Sequence, residues 1–197
     1  TTTYQYDTLG RLIKETDSLG NSITYSYDAK GNLTSKTDAN GSLINYTYDN
    51  LNRLLKKSYP DNTTETFTYD SKGNILTTTN QNISYILSYD TNGRVTSVTD
   101  SNSRTVSYQY DSPGNKTQTT YPDGTVVSYT YDSANHLSSI INGGGRTYSF
   151  QYDILGRRTK LSMPNGTSAN YSYDTSGRLT NLVHKTSSGS VITQYSY

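Results

Sequence analysis

The chain has no cysteine and no tryptophan, and only one methionine, two phenylalanines and four prolines in 197 residues. Without cysteine there is no disulfide framework, no thiol nucleophile and no thiolate metal site. Apolar residues are also scarce. They make up 30% of the chain even with tyrosine included, against about 45–50% in ordinary globular domains. A thick aliphatic core is therefore excluded. Neither charge sign is in excess, with 17 Lys plus Arg against 16 Asp plus Glu. The longest basic runs are the pairs Lys56-Lys57 and Arg157-Arg158. That pattern gives no electrostatic footprint for nucleic acid. No apolar stretch approaches the ~18 residues of a membrane span, and no segment has the layout of a signal peptide.

Tyrosine is abundant, at 21 residues. A ring can bury roughly 150–250 Å² while its hydroxyl keeps a polar partner, so the rings must serve as core. They recur in a Tyr-x-Tyr-Asp unit. The aspartates are Asp7, Asp28, Asp49, Asp70, Asp90, Asp111, Asp132, Asp153 and Asp174, at steps of 21 residues with one of 20. The second aromatic is always tyrosine: Tyr6, Tyr27, Tyr48, Tyr69, Tyr89, Tyr110, Tyr131, Tyr152 and Tyr173. The first aromatic position also accepts Phe67, Leu87 and Phe150, so it needs volume rather than a hydroxyl. A tenth copy begins with Tyr195-Ser196-Tyr197, after a longer step with Ser187, Ser188, Gly189 and Ser190 in the added loop. The pattern is under way at Thr1 and at Tyr197, as expected of a fragment of a longer repeat region.

Three residues after each Asp stands Gly10, Gly31, Asn52, Gly73, Gly93, Gly114, Asn135, Gly156 or Gly177. Asp followed by Gly or Asn at this spacing predicts a turn capped by the carboxylate and closed by a positive φ. A second turn signal, such as Asp17-Ser18-Leu19-Gly20 or Pro164-Asn165-Gly166, follows half a period later. Two turns per repeat leave two strands of roughly 6–7 residues. The segments between turns are rich in β-branched and aromatic residues. The fold class is all-β: one array over 1–197 of antiparallel hairpins, one per repeat, in a continuous sheet expected to coil because large flat sheets are unstable. Alternation puts both aromatics of a unit on one face. Equivalent rings lie two strands, or roughly 10 Å, apart. Filler comes from Leu12, Leu33, Leu54, Ile75, Val95, Leu137 and Leu179, a row broken by Lys116 and Arg158. At those two the aliphatic stem is expected to pack while the charge reaches water.

The segments Tyr4-Gln5-Tyr6-Asp7-Thr8-Leu9-Gly10-Arg11-Leu12 and Tyr171-Ser172-Tyr173-Asp174-Thr175-Ser176-Gly177-Arg178-Leu179 resemble the YD or RHS (rearrangement hotspot) repeat. The resemblance covers essentially the whole chain. It implies a spiralling β-sheet shell, as in bacterial RHS and wall-associated proteins, toxin-complex cocoon components and teneurins. It further implies export to the cell surface or beyond, a non-catalytic structural role, and flanking repeats of a parent protein as partners. An enclosed toxin domain is the other partner it suggests; bound glycans are suggested instead by exposed Tyr rings on a polar sheet. RHS shells commonly carry an Asp-Pro-x-Gly motif that supports autoproteolysis. Here Asp111-Ser112-Pro113-Gly114 has a residue interposed, so that activity is not transferred.

No catalytic constellation stands out, and no cofactor is expected. His136 and His184 lack a second histidine or cysteine at ligand spacing, and His136 is expected on an exposed strand. Gly143-Gly144-Gly145 reads as a turn. Calcium needs about 6–8 converging oxygens, and one Asp per repeat does not supply them. The residue after the turn Gly alternates over Arg11, Asn32, Arg53, Asn74, Arg94 and Asn115. The alternation relieves like-charge repulsion, lets each Arg lie on a neighbouring Tyr ring, or is drift among the repeats. Alternatively, exposed Tyr rings on a hydroxyl-rich sheet would suit a carbohydrate- or protein-binding adhesion module.

Overall fold

A computed structural model describes residues 1–197. Every regular element is a strand: β1 (Thr3–Tyr6), β2 (Leu12–Thr16), β3 (Ser22–Tyr27), β4 (Leu33–Thr37), β5 (Leu43–Tyr48), β6 (Leu54–Ser58), β7 (Thr64–Tyr69), β8 (Ile75–Thr79), β9 (Ser84–Tyr89), β10 (Val95–Asp100), β11 (Thr105–Tyr110), β12 (Lys116–Thr120), β13 (Val126–Tyr131), β14 (Leu137–Ile141), β15 (Thr147–Tyr152), β16 (Arg158–Ser162), β17 (Ser168–Tyr173), β18 (Leu179–Lys185) and β19 (Val191–Ser196). They fall into two compact units, Thr1–Arg104 and Thr105–Tyr197. In the first, β1 to β10 pair antiparallel with their chain neighbours. In the second, β11 to β19 do the same.

Each Asp-x-x-Gly turn is the three-residue type, a type I turn followed by a left-handed residue. In the first copy the Asp7 amide donates to the Arg11 carbonyl at 2.9 Å and the Gly10 amide to the Asp7 carbonyl at 3.0 Å. The left-handed position has φ +78° at Gly10 and +62° at Asn52, the region where a side chain other than that of Asn or Asp is strained. A bulge follows each turn that closes a Tyr-x-Tyr-Asp unit, while the half-period turns at Asp17 and Asp38 keep regular register. Tyr6 faces Leu12 and Gln5 faces Lys14, leaving Ile13 unpaired. The same slip recurs at Thr34, Leu55, Leu76, Thr96, Thr117, Ser138, Thr159 and Thr180. The bulge keeps the filler residue on the aromatic face and adds local twist.

Pairing separates two faces. On one, Lys36 stands opposite both Tyr25 and Ile44, and Leu161 opposite both Phe150 and Ala169. On the other, Thr66 meets Thr79, Thr68 meets Thr77, and Ser149 meets Ser162. The chain is thus aromatic on one face and hydroxyl-rich on the other. Only Ala169 and Thr119 are buried, at 1% and 3% exposure. The tyrosine face serves as a half-open core.

The last hairpin differs from the sequence expectation. Its added residues lie in the strands rather than in the loop. The Thr186 amide donates to the Ser190 carbonyl at 2.8 Å and Gly189 to Thr186 at 3.0 Å, as in an ordinary turn. β18 instead spans seven residues where β16 spans five. Tyr195 therefore sits opposite Leu182, as Ala169 sits opposite Leu161 one hairpin earlier. Two residues on, Tyr197 takes the first-aromatic place of Tyr171 rather than the second-aromatic place of Tyr173.

Candidate functional site

The repeated cluster at each Asp turn holds most of the polar chemistry. Asp7 Oδ1 accepts from the amides of Leu9 and Arg11, both at 2.9 Å, and its Oδ2 accepts from Arg11 Nε at 2.6 Å. Asp49, Asp90, Asp153 and Asp174 repeat the arrangement with Arg53, Arg94, Arg157 and Arg178. Asp28 and Asp70 accept from the side-chain amides of Asn32 and Asn74, each at 2.8 Å. Asp111 departs from the pattern for a chemical reason. Pro113 has no N–H, so Oδ1 takes the Gly114 amide at 2.9 Å. Asp132 accepts from the Ala134 and His136 amides.

These donors favour the charged carboxylate. The Arg11 backbone amide above all, with its guanidinium and the Leu9 amide, holds Asp7 below the usual carboxylate range. For Asp28 and Asp70 the side-chain amide of the following Asn is the leading cause. The carboxylate oxygens are spent on closing turns.

The second-position tyrosines join one repeat to the next. Tyr27, Tyr48, Tyr69 and Tyr89 donate from their hydroxyls to the carbonyls of Leu12, Leu33, Leu54 and Ile75 at 2.7–2.9 Å. Tyr131, Tyr152 and Tyr173 do so to Lys116, Leu137 and Arg158 at 2.9–3.0 Å. The acceptor is always the filler residue of the preceding repeat. Burial raises the phenol pKa of Tyr48, Tyr89 and Tyr131, and Asp28, Asp70 and Asp111 respectively push the same way.

Arginine adds a second joint. The Cζ atoms of Arg11, Arg53 and Arg157 lie 4.8 Å from the ring centroids of Tyr27, Tyr69 and Tyr173. Their NH1 groups donate to the carbonyls of Asp28, Asp70 and Asp174 at 2.9–3.1 Å. In the alternate repeats the cation has moved two residues earlier. Lys30 Nζ donates to the Asn50 carbonyl and Lys72 Nζ to the Thr91 carbonyl, both at 3.1 Å. Asn32 also donates to Asn52 Oδ1 at 3.0 Å. The first four Tyr-x-Tyr-Asp turns thus each carry one cation, and relief of like-charge repulsion does not account for the alternation. Ring stacking accounts for Arg11, Arg53 and Arg157.

His136 is half-buried beside its turn rather than exposed on a strand. Its ring centroid lies 4.9 Å from that of Tyr152, and Nδ1 is 3.2 Å from Asp132 Oδ2. It fills the place of Arg in the same joint. His184 lies in β18 opposite Ala169 and Thr193. Lys116 and Arg158 do not simply send their charge to water. Lys116 Nζ lies 5.5 and 5.0 Å from the rings of Tyr108 and Tyr129, and Arg158 Cζ lies 4.8 Å from that of Tyr171.

Comparison with known proteins agrees with this geometry. The Teneurin YD-shell family matches residues 66–197, and the RHS Repeat family matches 6–43, 27–64 and 48–82. Among solved structures, the crystal structure of TcdB2-TccC3-Cdc42 superposes with a TM-score of 0.85 at 18% identity, over 100% of this chain and 12% of that one. TcdB2-TccC3 without its hypervariable C-terminal region gives 0.85 at 18%, with the same coverage. The Photorhabdus luminescens Tc holotoxin pore gives 0.65 at 17% identity, over 100% of this chain and 13% of that one. At these identities the likeness shows the fold, and the chain spans only about an eighth of those chains. A search of curated proteins found no match. Through the YD-shell match over two thirds of its length and RHS repeats over the remainder, the chain belongs to the YD/RHS repeat family.

Proposed function

We propose that this chain is a non-catalytic wall segment of an RHS/YD-repeat shell in a larger exported protein, and that the shell encloses a toxin domain. The observation that carries this reading is the spending of polar groups on joints. The aspartates close turns, the arginines bridge turns, and the second tyrosines bond the preceding strand. The Tc-toxin structures that share the fold are assemblies in which this length of chain is a small part. A wall built from identical joints suits repetition, since each repeat is stabilised by its neighbours. A glycan platform would need open ring faces. At Tyr27, Tyr69 and Tyr173 one face is already covered by a guanidinium.

The test is limited proteolysis of the parent protein. A segment enclosed by the shell resists protease until the shell unfolds, and a helix-forming insertion within β13–β16 exposes it. Digestion of every downstream segment at the same rate, with the repeats intact, would refute enclosure. Saturable capture by immobilised glycans would move the role to adhesion.

A further inference from the structure

We propose that the cavity beside Arg146 binds a small carboxylate carrying an apolar body, a site that goes beyond the scaffold role. Its origin is one substitution inside the repeat. At the turn joining β10 to the next repeat, Asp100 accepts from the Arg104 amide at 3.0 Å and pairs with the Arg104 guanidinium at 2.6 Å. Two repeats later the turn keeps its shape but not its charge. Asn142 Oδ1 accepts from the amides of Gly144 at 3.1 Å and Arg146 at 3.0 Å, as the aspartate would. The Asn142 amide offers no anion, so Arg146 has neither a carboxylate nor a ring partner. Every other arginine has one or the other.

Arg146 lines an open cavity of about 470 Å³ with Tyr148, Met163, Pro164 and Asn165. This volume lies within the roughly 300–1,000 Å³ of small-molecule sites. Tyr148, Met163 and Pro164 form an aromatic, thioether and pyrrolidine wall, apolar and adaptable. Arg146 supplies the fork geometry that matches a carboxylate in two parallel hydrogen bonds. The turn that carries it is held from behind. A Cβ at Gly143 would collide with Thr125 Cγ2, so the Asn142–Arg146 turn is pressed against its neighbour. An anionic head with an apolar body satisfies both halves of the site, as neither acetate nor an uncharged aromatic does.

The test is a titration of the 197-residue chain with 3-phenylpropionate, followed by amide and methionine-methyl NMR. The neutral 3-phenylpropanamide and acetate serve as comparison ligands. Saturable shifts at Arg146, Tyr148 and Met163 are expected with 3-phenylpropionate, with affinity at least tenfold above that for either comparison ligand. Asn142→Asp supplies the internal partner seen at Asp100 and should weaken binding at least fivefold with the spectrum otherwise unchanged. Arg146→Gln should weaken it at least tenfold. Equal binding of the propanamide would remove the carboxylate from the proposal, and equal binding of acetate would remove the apolar wall. Unsaturable shifts, or full affinity in Asn142→Asp, would overturn the site.

Discussion

The two compact units share one hairpin design and fill it differently. In Thr1–Arg104, the positions of the even strands that face the aromatic residues are Glu15, Lys36, Lys57, Thr78 and Val98. In Thr105–Tyr197 they are Thr119, Ile140, Leu161 and Leu182. The first three hairpins of the first unit cover the tyrosine face with charge. Lys57 pairs with Glu65 at 2.9 Å and lies 5.7 Å from the Phe67 ring. The second unit covers it with aliphatic volume from Ile140 onward, and both buried residues of the chain lie in that unit. The turns and phenol–carbonyl joints are the same in both. The joints therefore specify the hairpin, and the face between them tolerates either filling.

The largest expected difference between the units is in the cost of truncating that filling. Leu161→Ala removes half-buried volume between Phe150 and Ala169 and should cost about 2 kcal/mol. Lys57→Ala removes a partly exposed ion pair and should cost about 0.5–1 kcal/mol. Urea unfolding of both variants gives the comparison, and equal costs would erase the distinction between the faces.

Acid should separate the units as well. Carboxyl pKa values are depressed at Asp7, Asp17, Asp28, Asp49, Asp61, Asp70, Asp90 and Asp100 in the first unit, against Asp123, Asp132, Asp153 and Asp174 in the second. A depressed folded-state pKa contributes stability that is complete above the unfolded value, near 3.8. That stability is lost as pH falls through the lower folded value. Glu65 adds to the first unit in the same sense. Hydrogen exchange from pH 5 down to pH 2 should show the first unit opening earlier. Simultaneous opening would show that the turn carboxylates do not decide acid stability.

A smaller effect sharpens the account of the alternating joints. Arg53→Asn removes the stack on Tyr69 and the bond to the Asp70 carbonyl. It should cost about 0.5–1 kcal/mol. The smallest change is expected for Lys30→Ala, which removes one exposed bond to the Asn50 carbonyl and should stay within about 0.5 kcal/mol. A larger loss for Lys30→Ala than for Arg53→Asn would reverse the ranking of the two joints.

The hairpin order and the capping role of Asp7 and its equivalents were legible in the sequence because turn chemistry is local. Four residues carry it, and Gly10 or Asn52 marks the left-handed position. The bulge at Ile13 was not legible, since it depends on which residue of the partner strand lies opposite Tyr6. The bonding partner of the second tyrosine was anticipated only as something polar. Its acceptor is a backbone carbonyl 14 or 15 residues earlier, and backbone acceptors leave no mark in composition. Lys30 and Lys72 carry no joint signature in the sequence because their slot holds Leu9 and Leu51 in the neighbouring repeats, and no single position preserves the charge. The form of the last hairpin is not legible in the sequence, because the spacing shows how many residues are added but not whether loop or strand absorbs them.

The two aromatics of each unit divide the labour, volume at the first and a strand-to-strand bond at the second. Tyr46→Phe and Tyr69→Phe, compared by equilibrium unfolding in urea, test this division most directly. Tyr69→Phe should cost about 1 kcal/mol through the unsatisfied Leu54 carbonyl, while Tyr46→Phe should stay within about 0.5 kcal/mol. Equal costs for the two variants, or a neutral Tyr69→Phe, would contradict it.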